Sequence, residues 1–213
     1  MKIEQTLKGQ WMEVRDRLVA KQLALSSVAT LSLRIPDPAS IWVGRVSDPE
    51  PRRIARGDAA SMDRDVEIHA AIYAAREDVG AIAIGGGAFG RLLADVGGTM
   101  PGVFDEQVRH LGRMSPAISG VRELGRALRA GGNTLLVGKE PVCLGMTASR
   151  LVLNAELFEK CAKAFVLAAA TGEPVAPLPW LVRRIANGRL MKDERKAGQR
   201  IRQGMLPEES RGY

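Results

Sequence analysis

The sequence predicts a layered domain of the α/β or α+β class, and three observations lead there. Short apolar stretches with strand-like alternation are interleaved with stretches of helical spacing. Glycine and proline clusters separate them at turn lengths. The chain has 213 residues, 46% of them hydrophobic, which is enough to bury a core between layers. Nothing approaches the roughly 20 uninterrupted apolar residues of a membrane span, so no membrane partner is expected. The charged start, MKIEQTLKGQWMEVRDRL, does not read as a signal peptide. We expect one domain over residues 1–172, then a Pro-containing linker and basic C-terminal extension over 173–213.

The elements follow in order. Ile3, Leu7, Trp11, Val14, Leu18 and Val19 recur at helical spacing over residues 3–22. Val28 to Arg34 alternates like a strand, Pro36-Asp37-Pro38 turns the chain, and Ser40 to Val43 reads as a short return strand. Ser61 can cap a helix running to about Arg76, with Asp63 and Asp65 in the first turn, where the helix dipole favours acids. Its apolar face would be Ile68, Ala71, Ile72 and Ala75. A strand over Val79 to Ile84 stops at Gly85-Gly86-Gly87, and a helix over Ala88 to Asp95 follows. Gly97, Gly98 and Pro101 mark a loop, and helices are expected at 104–112 and 119–130. Thr134 to Val137 and Val142 to Leu144 read as strands around Gly138-Lys139-Glu140-Pro141, before a long helix from Ala148 to about Ala170. TGEPVAPLPW then separates the core from the tail.

Charge is unevenly placed. The net charge is +7, but residues 181–213 hold nine Lys/Arg and four acids, which leaves the rest of the chain nearly neutral. A nucleic-acid inference from basicity therefore applies to the tail alone, and its mixed signs and single aromatic, Tyr213, argue against it. Docking on a neighbouring subunit or a loose solvated end is the expectation. The two cysteines, Cys143 and Cys161, have no zinc spacing and read as buried small hydrophobes. A reducing, cytoplasmic setting fits them.

Several motifs bear on chemistry. Gly85-Gly86-Gly87-Ala88-Phe89-Gly90 matches Gly-x-Gly-x-x-Gly between a strand and a helix. There, backbone N–H groups could cradle a pyrophosphate or smaller anion. No acid ends a strand about 20 positions on, as dinucleotide binding requires, so a plain tight turn is the simpler reading. His69 and His110 lie 41 residues apart on expected helices, with no metal spacing. Asp63-Arg64-Asp65 reads either as dipole-compensating acids or as a carboxylate aimed into a cleft.

DVEIHAAIYAAREDVGAIAIGGGAFGRLLA, over Asp65 to Ala94, resembles the central segment of the class II aldolase/adducin family. That segment has an acid, a His four residues on, an ARPDV-like stretch, and an apolar strand ending in His-x-His. LALSSVATLSLR upstream, and Asn133 to Val137 with the following helix downstream, extend the resemblance over about residues 3–172. It implies a three-layer αβα domain with a central, mostly antiparallel sheet. It also implies a homo-oligomer, by family habit a tetramer.

The departures from the family pattern set the functional expectation. The family's His-x-His falls on Ile84-Gly85-Gly86, and its third metal histidine on about Lys139. A catalytic zinc takes three N, O or S ligands, which these residues do not supply. No cofactor is therefore expected. The catalytic carboxylate falls on Asp65. A metal-free site could assemble Arg45, Arg64 and Lys139 around a small anion, with Gly85, Gly86 and Gly87 adding backbone donors. Three readings stay open: a non-catalytic assembly or interaction module, a metal-independent lyase with Asp65 as acid/base and Lys139 as electrophile, and an enzyme whose metal is held by other ligands.

Overall fold

The computed structural model describes residues 2–36, 40–55 and 64–209, apart from the side chains of Lys2, Arg64 and Asp65. The expected turn at Asp37-Pro38, the Ser61 cap and Asp63 lie outside the described residues. The expected architecture is present: a six-stranded sheet between two layers of helices.

Helix α1 (Lys2–Ala20) opens the chain. It buries Leu7, Trp11, Val14 and Leu18, while Ile3 and Val19 are exposed, so the buried stripe is narrower than the spacing suggested. Trp11 is fully buried, and its Nε1 donates to Leu31 O at 2.9 Å, which gives the indole's polar tip a partner. The strands are β1 (Thr30–Ile35), β2 (Ser40–Arg45), β3 (Arg52–Ala55), β4 (Ala81–Ile84), β5 (Thr134–Val137) and β6 (Glu140–Gly145). Their order is β3-β2-β1-β4-β6-β5, and every strand pair is antiparallel. A parallel bridge, Ile118 to Val137, adds to the β5 edge. β3 has no apolar run in sequence, which is why it goes unread there; it is an edge strand with one buried residue, Ile54.

Strand alternation splits the sheet into two faces. Leu31, Leu33, Ile35, Ala81, Ala83, Leu136 and Cys143 face one core with α1 and α6 (Ala148–Ala169). Ile41, Val43, Ile54, Ile82, Ile84, Leu135, Val137, Val142 and Leu144 face the other, with α2 (Arg64–Ala75). Thr147 caps α6, its side chain accepting from Arg150 N at 3.0 Å. α6 buries Leu151, Ala155, Phe158 and Ala162 at helical spacing. Both cysteines are buried; burial pushes the Cys161 thiol up to about 12 and Cys143 higher still.

Three short helices complete the layers: α3 (Ala88–Leu92), running into a 3-10 turn over Leu93–Val96, and α4 (Asp105–His110) pack on the α6 side, and α5 (Leu124–Ala127) packs against α2. The helix expected over 119–130 is thus one 3-10 turn and four α residues. α7 (Trp180–Arg202) closes the chain. It packs on the chain's own α4 and core through Leu190, Glu194, Ala197, Gly198 and Ile201. Over this length the tail is packed on its own domain rather than loose.

Candidate functional site

The sheet register gathers most of the expected site at one end. Thr30 pairs with Arg45 on one side and Ile84 on the other, and Ile84 pairs with Val142. Arg45, the Gly85–Gly87 turn and the β5–β6 hairpin therefore share one end of the sheet. Lys139 sits at that hairpin's two-residue turn, behind Gly138 at φ 62°. Arg64 and Asp65 open α2, and their side chains lie outside the described residues.

Proximity has not produced a joined cluster. Arg45 is exposed, and its backbone N–H donates to Asp48 Oδ2 at 2.8 Å. Lys139 is 76% exposed at its side chain, and its Nζ lies 3.1 Å from Asp95 Oδ1. Among the described residues no hydrogen bond or ion pair links Arg45 to Lys139.

The glycine turn is closed from within. Gly85 N donates to Pro141 O, and Gly86 O accepts from Leu25 N, each at 2.9 Å. Gly86 has φ 53°, and a Cβ there would sit 2.5 Å from Pro141 Cγ. The amides that would face a phosphate are already bound: Phe89 N donates to Glu159 Oε1 at 2.7 Å and Gly90 N to Glu159 Oε2 at 2.9 Å. A Cβ at Gly87 would lie 2.5 Å from the Glu159 carboxyl carbon. The dinucleotide alternative at Gly85–Gly90 fails on this contact, because the chain's own carboxylate stands where a pyrophosphate would. Sequence reasoning missed Glu159. The signal was available: it follows Ala155 by four residues, an acid on the apolar stripe of α6, and such an acid needs a partner.

The resemblance assigns metal ligands to the positions of Ile84, Gly86 and Lys139. Ile84 is buried in the α2-side core, the Gly86 position is covered by the Pro141 ring, and Lys139 presents a cation to solvent. Among the described residues no three His, Cys, Asp or Glu side chains are grouped to hold an ion.

Two buried polar networks use residues that look unremarkable in sequence: one reaches this end through Thr30, and the other lies at the opposite end of the sheet, by Gly132 and Asn133. His69 replaces Ala75 on the buried face of α2. Its Nε2 is 2.9 Å from Thr30 Oγ1 and its Nδ1 2.7 Å from Ser32 Oγ, which also meets Tyr73 OH at 2.9 Å. Burial lowers the His69 pKa to about 3, so the ring is neutral at physiological pH. The Arg34 guanidinium lies 4.7 Å over the Tyr73 ring. Beyond it, at the far end of the sheet, Arg34, Ile41, Ile54 and Tyr73 line a cleft of about 200 Å³.

The second network centres on Arg76. Its Nε and Nη2 take both oxygens of Asp78 at 2.7 and 2.6 Å, and Nη1 reaches Gly132 O at 3.1 Å. Nη2 also approaches Asn133 Oδ1 at 3.1 Å and Glu194 Oε1 at 2.9 Å. Three oxygens compete for two protons, which leaves Glu194 Oε1 ion-paired but without an aligned hydrogen bond. Burial pushes Glu194 up to about 8, against the pull of Arg76. His110, on α4, is held down at about 4 by burial and by the Arg150 guanidinium 2.7 Å from its Nδ1. Both histidines are thus engaged by neighbouring side chains, His69 through both ring nitrogens and His110 through Nδ1.

The fold is that of the class II aldolases. YgbL of Escherichia coli, described as a candidate aldolase/epimerase/decarboxylase, superposes with a TM-score of 0.72 at 16% identity, over 87% of this chain and 99% of its own. The L-fuculose 1-phosphate aldolase of Glaciozyma antarctica PI12 gives 0.71 at 16%, over 92% and 88%. An aldolase II superfamily protein of Pseudomonas syringae gives 0.63 at 13%, over 97% and 99%. No protein-family model matches the sequence, and no curated protein does. No helix among the described residues is long and apolar enough to cross a membrane.

Proposed function

We propose that this chain is a class II aldolase-like protein without the family's metal site, acting as an assembly or interaction module rather than as a lyase. The observation that supports this most is the filling of the metal end: Ile84 in the core, Pro141 over Gly86, and the Glu159 carboxylate on the neighbouring amides. Among the described residues a Lewis acid has no ligand set there, which would leave the enediolate chemistry of a metal-dependent aldolase without its electrophile. A small anion would be met at this end by the exposed Arg45 and Lys139, while Glu159 already holds the Phe89 and Gly90 amides. We also propose a homo-oligomer, a tetramer by resemblance, which light scattering of the purified chain tests directly.

The deciding experiment is elemental analysis of purified protein together with an aldol-cleavage assay on sugar 1-phosphates. We expect no stoichiometric divalent metal and no cleavage. Stoichiometric metal that chelation removes together with a cleavage activity would sink the reading.

The metal-independent lyase, with Asp65 as acid/base and Lys139 as electrophile, has less support. Schiff-base lysines work from desolvated pockets, whereas Lys139 is in solvent beside Asp95. Borohydride trapping of a substrate on Lys139, abolished in Lys139→Ala, would reverse the preference.

A further inference from the structure

The charge of the C-terminal segment looks mixed in sequence and is sorted in the fold. Asp193 turns inward, its Oδ2 2.7 Å from Arg109 Nη2, and Glu194 lies against Arg76. Glu208 pairs with Arg200 at 3.0 Å and Glu209 with Arg150 at 2.9 Å. All four acids are neutralised. Arg183, Arg184, Arg189, Lys192, Arg195 and Lys196 are exposed, and none is ion-paired with a described residue. The exposed cations of α7 therefore have no acid of their own helix among them, and the nearest acids, Asp105 and Glu106 of α4, lie at one edge, where they line a cleft with Ile185 and Arg189.

The outer face of α7 begins with large apolar groups. Trp180, Leu181 and Ile185 are 63%, 57% and 55% exposed. At about 100° per residue they fall within an arc of roughly 140°, and Arg184 and Lys192 project within it. The Arg184 guanidinium lies 5.8 Å from the Trp180 ring centroid.

From this sorting we infer that the outer face of α7 docks on an anionic lipid surface, with Trp180, Leu181 and Ile185 entering the interface and the flanking cations meeting headgroup charge. A helix with one apolar and cationic face lies in the plane of a bilayer in this way, and an indole prefers the headgroup level. A nucleic acid would use the cations but has no place for exposed Leu181 and Ile185. The contact is peripheral, so it departs from the expectation of no membrane partner without needing a spanning helix. It does not rest on the absence of lyase activity.

The test uses the full chain with vesicles of phosphatidylcholine alone, or with about one-third phosphatidylserine. We expect cosedimentation with the anionic vesicles only, reversed by high salt. A blue shift in tryptophan emission should accompany it and vanish in Trp180→Phe, since Trp11 is buried and Trp42 half-buried. Arg184→Glu with Arg189→Glu should weaken partitioning roughly fivefold per cation removed, even before the reversed charge is counted. Both positions are exposed, so circular dichroism should not change. Absence of binding, or equal binding to both vesicle types, overturns the inference. So does retention on duplex DNA with no response from Trp180. So does a lipid-free oligomer in which iodide cannot quench Trp180, because the face is then buried between copies.

Discussion

Glu159 Oε2 lies 2.9 Å from Gly90 N, so a carboxylate 69 residues away in sequence closes the glycine turn. Its other oxygen takes Phe89 N at 2.7 Å. Removing that carboxylate leaves two amides without a partner. Glu159→Ala should lower stability by about 1.5–3 kcal/mol, the usual worth of charge-assisted hydrogen bonds. Formate or phosphate should restore part of the loss in the variant and do nothing for the parent. Urea unfolding with and without the anion reads both effects.

Gly86 is held by its left-handed φ and by the Pro141 ring. Gly86→Ala should cost about 1–3 kcal/mol through both strain and contact. Adding Pro141→Ala should recover the contact part and leave the strain. A double-mutant cycle by chemical denaturation measures the coupling, and strict additivity would contradict the close approach.

Ser32 serves His69 and Tyr73 at once. Ser32→Ala removes the hydroxyl and strips a partner from each, at about 1–3 kcal/mol. The His69 pKa is depressed to about 3, so the unfolded chain takes up its proton first as pH falls below 6.5. The stability the ring contributes is present above pH 6.5 and is lost as pH falls toward 3. His110, depressed to about 4, acts in the same direction over a narrower range. His69→Gln should flatten the acid limb of a stability–pH curve more than His110→Gln does.

Glu194 has the opposite sign. Burial raises it to about 8, so the folded state holds the proton more tightly than the unfolded one. Its contribution is fullest below about pH 4.5 and is lost as pH rises through 8. The stability of Glu194→Gln relative to the parent should therefore rise between pH 5 and pH 9. Arg76→Leu should cost about 3–5 kcal/mol, since it strands Asp78 and Glu194 in the core.

The fold was legible in sequence because its layers are written in periodicity. Val79 to Ile84 and the Ala148 helix reappear almost at their expected ends. The strand at Arg52–Ala55 was not legible, because an edge strand with one inward residue leaves no alternation to read. The site was legible by position only. The register brings Arg45, Gly85–Gly87 and Lys139 to one end of the sheet. Contacts are another matter: that Glu159 would cap Gly90, or Asp95 meet Lys139, depends on long-range packing that no local spacing encodes. The sorting of the tail's charge was not legible for the same reason, since the partners of three of its four acids lie in distant elements.

The Arg76–Glu194 contact has a consequence for how the chain opens. Its two residues are far apart in sequence, and contacts of that kind form late in folding. Through Glu194, α7 docks on a layer that already has its sheet and its long helix, by a handful of buried side chains. Such an element behaves as a separate cooperative unit, able to detach while the rest stays folded. Amide hydrogens along α7 would then exchange through this partial opening, well before those of β4 and β6 exchange through global unfolding. Raising the pH through the range where Glu194 ionises would make α7 detach more readily.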